Sequence, residues 1–416
     1  MFNHKPGNRA FSDKFMWGAA GAGHQIEGNN VNADIWLMEH VPHSIFSGKS
    51  GDACNSFELW ETDLDLAKEL GFTAYRFSIE WARIEPECGC FSLAMLKHYE
   101  AIIDGCLSRN MVPVVTLNHF ANPVWFARKG GWTNPEASQF FVRYCDYIGE
   151  HIGKKIKYAM TFNEPNILRI LKAMGMPEEV WEIQDKTLDE AAQLTDSKTF
   201  SGLNVARRED FELMMSLLIE GHKVARETLK KHNPDMQVGF SLAMLDDQPL
   251  GENSLLEQKR KESYGDWFDA AEFADFIGIQ NYERVVWDDK GSVPVPDDAM
   301  KNATGSWIDP TSLANCVAYV YQRTQKPIFV TEHGMGTDND NHRETFLRQS
   351  LVHLMDVVEE GIPVLGYIHW TLMDNFEWIH GYGLRFGLCS VDRNTFERTP
   401  KASAYAYRDM ILKNQF

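Results

Sequence analysis

The sequence predicts an α/β protein closed as a single (β/α)8 barrel of the TIM type. Short β-branched or aromatic runs alternate with longer amphipathic stretches over the whole chain, the signature of strands that each return through a helix. Eight runs have strand character, and eight parallel strands close as a barrel. No low-complexity segment or short exact repeat interrupts the pattern, so residues 1–416 are expected to form one catalytic-size domain.

The strand-like runs are, in order, Lys14–Ala20, Thr73–Ile79, Val112–Leu117, Lys157–Phe162, Gln237–Leu242, Phe273–Ile279, Pro327–Thr331 and Val364–His369. Helical patterns fall between them: FELWETDLDLAKELG from Phe57, LAMLKHYEAIIDGCLSRN from Leu93, FELMMSLLIEGHKVARETLKKHN from Phe211 and HRETFLRQSLVHLMDVVEEG from His342. Gly71 and Gly361 stand where C-terminal caps are expected. An open doubly wound sheet is the competing architecture, and GAAGAGHQIEG from Gly18 offers it a glycine-rich turn. The glycine spacing does not match a dinucleotide fingerprint, which favours the barrel.

Composition narrows the partners. The chain is 44% hydrophobic and 24% charged, ordinary for a globular protein, and 41 basic against 59 acidic residues leave a net charge of −18. That charge repels phosphate backbones and anionic lipid, so neither nucleic acid nor membrane is an expected partner. The opening MFNHKPGNRAFSDKF has no continuous apolar stretch, and no 18-residue apolar run follows, so the expectation is a cytoplasmic protein. Seven scattered cysteines, without paired CxxC spacing, read as reduced thiols. Composition leaves the oligomeric state open.

In such a barrel, chemistry belongs at the C-terminal ends of the strands. Polar and aromatic residues gather there: Gln25 and Glu27, Arg76 and Glu80, Asn118-His119, Asn163-Glu164-Pro165, Gln280-Asn281-Tyr282, Glu332-His333-Gly334 and His369-Trp370. Together they outline a polar, ring-stacking pocket suited to a sugar. Glu164 and Glu332 each end an otherwise apolar run, KYAMTFN and KPIFVT. Either alone reads equally as half of a buried ion pair. Both at the ends of strands four and seven fit glycosidic cleavage, which needs one carboxyl to protonate the leaving oxygen and another to face the anomeric carbon.

These residues resemble glycoside hydrolase family 1, the β-glucosidases and their relatives, from FMWGAAGAGHQIEG near the start to RTPKASAYAY near the end. TFNEP around Glu164 and VTEHG around Glu332 are the most specific pieces, with YRFSIEWARIEP, TLNHFANPVWF and HWTLMDNFEWIHGYGLRFG in support. The resemblance implies a retaining β-glycosidase for small-molecule β-glycosides or oligosaccharides, with no cofactor and no catalytic metal. It makes Glu164 the acid/base and Glu332 the nucleophile, kept ionised by Arg76 and Tyr282. It implies sugar contacts from Gln25, His119, Asn163, Glu377 and Trp378 over Trp370, and a cis peptide between Trp370 and Thr371. Because Asn163 and Glu164 are adjacent, a regular strand would point them to opposite faces, so this strand end must bend. Glu377, as a carboxylate, is expected to repel a sugar 6-phosphate.

The chain departs from the family pattern in places. Phe120 stands where many relatives have Trp, Gln280-Asn281-Tyr282 replaces the commoner Asn-Tyr-Tyr, and Trp307 is the nearest candidate for an aglycone-side Trp. Trp125, Trp307 and Trp378 are the expected stacking rings, Glu80 is expected to pair with Arg83, and His24, His333 and His380 read as supports of the site rather than metal ligands. A transglycosidase using the same glutamates and a catalytically silent sugar-binding barrel are the rival readings. A phosphate-binding barrel would need a lysine or glycine-rich loop after strands seven and eight, which is missing.

Overall fold

A computed structural model describes residues 9–414. The first eight residues, on which the expectation about a leader partly rests, and the last two lie outside the described residues. Eight parallel strands form a closed barrel in sequence order: β1 (Met16–Ala20), β2 (Ala74–Ser78), β3 (Val112–Asn118), β4 (Tyr158–Asn163), β5 (Gln237–Pro249), β6 (Ile277–Trp287), β7 (Ile328–His333) and β8 (Val364–His369). Closure is made by β8 on β1, with Met16 opposite Gly366 and Gly18 opposite Ile368. One long helix returns each strand: α1 (Ser56–Glu69), α2 (Leu93–Ser108), α3 (Ala137–Ile152), α4 (Phe211–His232), α5 (Leu256–Ala270), α6 (Ser312–Thr324), α7 (Asp340–Glu359) and α8 (Ala402–Lys413). Two further helices, Ile167–Ala173 and Glu178–Leu194, are inserted between β4 and α4.

Strand five runs on past its expected end at Leu242 to Pro249, and the sixth strand is displaced from its expected place. Its expected start, Phe273, closes a 3-10 turn, and the strand instead runs past the barrel rim to Trp287. There the residues Val285, Val286 and Trp287 pair with Asp247, Gln248 and Pro249 of β5, since a β-branched and aromatic run favours the extended backbone.

Two apolar layers hold the elements. Met16, Ala74, Val114, Met160, Phe329 and Ile368 fill the barrel interior. Outside it, strands pack on the amphipathic faces of the helices, as where Phe141, Tyr144, Cys145, Ile148 and Ile152 of α3 are buried at helical spacing. Each such large side chain contributes about 1.5–3 kcal/mol of burial. Helix ends follow local chemistry: the Ser92 hydroxyl accepts from the Met95 N–H to cap α2. Gly71 and Gly361, beyond α1 and α7, adopt φ of +76° and +94°, a conformation glycine takes without steric cost. All seven cysteines are free. Among the described residues, no helix is long and apolar enough to cross a membrane.

Candidate active site

Arg76 lies two residues from Ala74 on β2 and so shares its inward face. Its guanidinium donates to Thr116 Oγ1 at 3.2 Å, to Asn163 Oδ1 at 2.6 Å and to Glu332 Oε1. Asn163 can meet it because β4 is bulged. The pairing with β5 jumps from Met160 opposite Gly239 to Asn163 opposite Ser241. Thr161 bonds His222 of α4 and Phe162 packs on Phe141, so two consecutive side chains face outward and Asn163 turns in. Glu164 then adopts φ of +43°, a left-handed conformation that costs a non-glycine residue roughly 1–2 kcal/mol. This is the bend that strand alternation required.

Glu332 is placed by a second irregularity. Ile279 pairs with Val330, but Gln280 pairs with Glu332, so β7 carries one residue more than β6 across that step. Gly334 follows where there is no room for a side chain, since a Cβ would sit 2.2 Å from the Trp370 carbonyl oxygen.

Both glutamates line one cavity of about 300 Å³, together with His119, Asn163, Tyr282, Trp370, Glu377 and Trp378. The rings are layered: His119 stacks on Trp370 and on Trp378, with centroids 5.8 and 6.0 Å away. His24 stacks on Trp378 at 6.0 Å and its Nε2 meets Glu39 Oε1 at 2.8 Å. His333 Nδ1 meets the Tyr367 hydroxyl at 2.8 Å. The Trp370–Thr371 peptide is cis.

The two carboxyls are held differently. Glu332 receives bonds from Arg76, from the Tyr282 hydroxyl at 2.5 Å on Oε2, and from Gln280 Nε2 at 2.9 Å on Oε1. Burial raises its pKa, while Arg76 and the Tyr282 bond pull it down, so its donors work against a desolvation that the sequence reading had left out. Among the described residues, Glu164 has no such donors. Burial and then the charge of Glu332 push its pKa well above the usual carboxylate value, which keeps its proton on. Burial also raises Glu377 to about 8. A carboxyl largely neutral at pH 7 repels a phosphate weakly, which corrects the electrostatic argument made from sequence.

Other expected residues fall elsewhere. Gln25 is fully buried behind the wall and donates to the Phe376 carbonyl at 2.7 Å and to Glu377 Oε2 at 3.4 Å. Trp307 does not line the cavity. Its carbonyl accepts from the Arg284 N–H and its ring lies under the Arg284 guanidinium, 5.5 Å away, because the chain turns at residues 302–306 and presents Ser306 inward instead. Trp125 is buried against Trp81, Phe126 and Phe140 as core. Arg83 bonds Glu27 at 2.8 Å rather than Glu80, whose oxygens take Ser78 and Asn30. Sequence reasoning counted Gln280 only as part of the polar strand-six end, without a bond to either glutamate, and did not single out Glu283, which lines the cavity. Gln280 lies in the segment Gln280-Asn281-Tyr282 already marked as departing from the pattern, which was the available signal, and Glu283 follows it directly.

A parallel eight-stranded barrel that brings two carboxyls, a buried donor-rich one and a half-buried donor-poor one, into a ring-lined cavity at its C-terminal strand ends is the construction of a glycoside hydrolase. Comparison with known proteins agrees. The model of glycosyl hydrolase family 1 matches residues 7–288 and 274–416. β-Glucosidase A of Acetivibrio thermocellus is 30% identical over 448 residues, covering 98% of this chain and 99% of that protein. β-Glucosidase A of Thermotoga maritima is 29% identical over 464 residues, with 98% of each covered. A ligand-free β-glucosidase structure superposes with a TM-score of 0.93 at 36% identity, covering 96% of this chain and 98% of the other. The chain belongs to glycosyl hydrolase family 1. It is a hydrolase of O-glycosidic bonds, in a family whose members take small-molecule glycosides as substrates.

Proposed function

We propose that this enzyme is a retaining β-glycosidase that removes terminal, unphosphorylated β-D-glucosyl units, with fucosides and galactosides as further substrates. The observation that carries the reading is the unequal environment of the two glutamates in one cavity: among the described residues, three donors on Glu332 and none on Glu164. A Glu332 oxygen attacks the anomeric carbon as Glu164 hands its proton to the leaving oxygen, releasing the aglycone as an alcohol. Ester formation removes the charge of Glu332. Glu164, now a carboxylate, takes a proton from water, which attacks the same carbon, frees the sugar and restores both groups. The relatives named β-glucosidase support the glucoside.

An unphosphorylated sugar is supported by the lining itself. The described residues that line the cavity include Glu164, Glu283, Glu332 and Glu377 but no lysine or arginine, so a phosphate would be desolvated there without a cation to receive it. The test is a panel of nitrophenyl β-glycosides, 6-phosphates included, with NMR of the first-formed sugar. Release of β-glucose from the unphosphorylated glucoside is expected. Release of the α anomer, or preference for a 6-phosphate, would overturn the reading.

A further inference from the structure

The sugar contacts and the two glutamates do not use up the cavity. The remaining lining falls into two chemically unlike sets. One is polar and comes from Glu283 on β6, from Asn302, Thr304 and Ser306 in the following loop, and from Asn204; the other is apolar and includes Ile167 and Leu171 of the helix after β4.

Glu283 follows Tyr282, where β6 leaves the barrel rim, and its position is fixed on both sides. The next residue, Arg284, bonds Asp246 Oδ2 at 2.7 Å and also Asp309, and its N–H donates to the Trp307 carbonyl at 2.9 Å. Burial raises the pKa of the Glu283 carboxyl, and the neighbouring Ser306 lowers it. Ser306 belongs to a turn that Asn302 organises by accepting from the Thr304 and Ser306 N–H groups at 3.0 and 2.9 Å. Asn204 Oδ1 is buried and has no hydrogen-bond partner among the described residues.

A rigid wall with a carboxyl and an unpartnered amide oxygen offers acceptors. An aryl or alkyl leaving group brings no donor to them, and a site built to take hydroxyls discriminates against ligands that leave its polar groups unpaired. A second pyranose has hydroxyls at its edge and C–H groups on its face, matching the polar and apolar sets together. We propose that Glu283 is the specificity-determining residue for the leaving group, accepting hydroxyls of a second sugar so that β-linked disaccharides and short oligosaccharides are the favoured substrates. The proposal rests on the β-glucosidase reading above.

The test compares kcat/KM on cellobiose with kcat/KM on 4-nitrophenyl β-D-glucoside for the wild type, Glu283→Ala, Glu283→Gln and Asn204→Ala. Glu283→Ala is expected to lose roughly tenfold or more on cellobiose, the size of a lost hydrogen bond to a carboxyl, and to stay within about twofold on the aryl glucoside, which also reports intact folding. Glu283→Gln retains an acceptor and should keep most of the cellobiose activity; Asn204→Ala should lose several-fold on cellobiose only. Equal losses on both substrates for Glu283→Ala, no loss on either, or Glu283→Gln as damaged as Glu283→Ala would overturn the proposal. A wild type inactive on both substrates would instead overturn the β-glucosidase reading, and this inference with it.

Discussion

Gln280 donates from Nε2 to Oε1 of Glu332 at 2.9 Å, on the oxygen that also receives Arg76. The same nitrogen donates to Asn163 Oδ1 at 2.7 Å, so one amide ties the nucleophile to the residue before the acid. Gln280 is buried and is not among the cavity-lining residues, which makes it a positioning residue. Gln280→Ala should therefore lower kcat by about tenfold and leave KM within about twofold. Losing a donor to an ionised carboxylate raises its pKa, so the acid limb of the kcat/KM profile should move to higher pH. A pH-rate profile of the variant checks both; an unshifted acid limb would assign Gln280 to packing alone.

The asymmetry between the two glutamates predicts unequal variants. Glu332→Ala should abolish turnover of every glycoside, by roughly 10⁴-fold or more, since no covalent bond to carbon can form. Glu164→Ala should spare the first step for nitrophenyl leaving groups, which depart without a proton, and should respond to added azide in the second. Burst kinetics with leaving groups of different basicity measure this. Equal losses across the series would contradict the assignment of Glu164 as the proton donor.

The fold and the two glutamates were legible because they rest on local patterns: apolar runs of strand length repeat whatever the tertiary detail, and two of them, KYAMTFN and KPIFVT, end in an acid. Asn163 shows where pattern reading reaches its limit. Alternation announced that the strand end must bend, but only the outward turn of both Thr161 and Phe162 reveals how. Trp307 failed because a turn at residues 302–306 decides which side chains face the cavity, and a turn's direction depends on partners such as Arg284 that lie far away in sequence. The protonation of Glu377 was misread for a related reason, since desolvation belongs to the folded cavity and leaves no mark on residue spacing.

Gly334 sets the approach of β7 to the segment that carries Trp370. A Cβ there would lie 2.2 Å from the Trp370 carbonyl oxygen, which is backbone and cannot rotate away. Gly334→Ala should shift the strand end that carries Glu332, cost about 1–3 kcal/mol as an overpacking change, and reduce kcat more than KM. Thermal unfolding with steady-state kinetics on the aryl glucoside checks it, and a variant of wild-type stability and rate would sink the argument.

Glu377 links activity to a stability cost that depends on pH. Its pKa rises from 4.5 to about 8 on folding, first because burial penalises the charge. The native state then holds more protons than the unfolded state between those values, so its contribution to stability falls as pH rises from about 4.5 to about 8 and stays low above that. Glu377→Gln removes the titration while keeping an acceptor for Trp370, whose Nε1 lies 3.3 Å from Glu377 Oε1. The variant should match the wild type in Tm near pH 4.5 and exceed it by on the order of a few degrees at pH 8, while its kcat/KM on glucosides falls. Paired melting curves across this range decide the matter: a Tm difference that does not widen with pH would mean that Glu377 is already ionised in the folded enzyme.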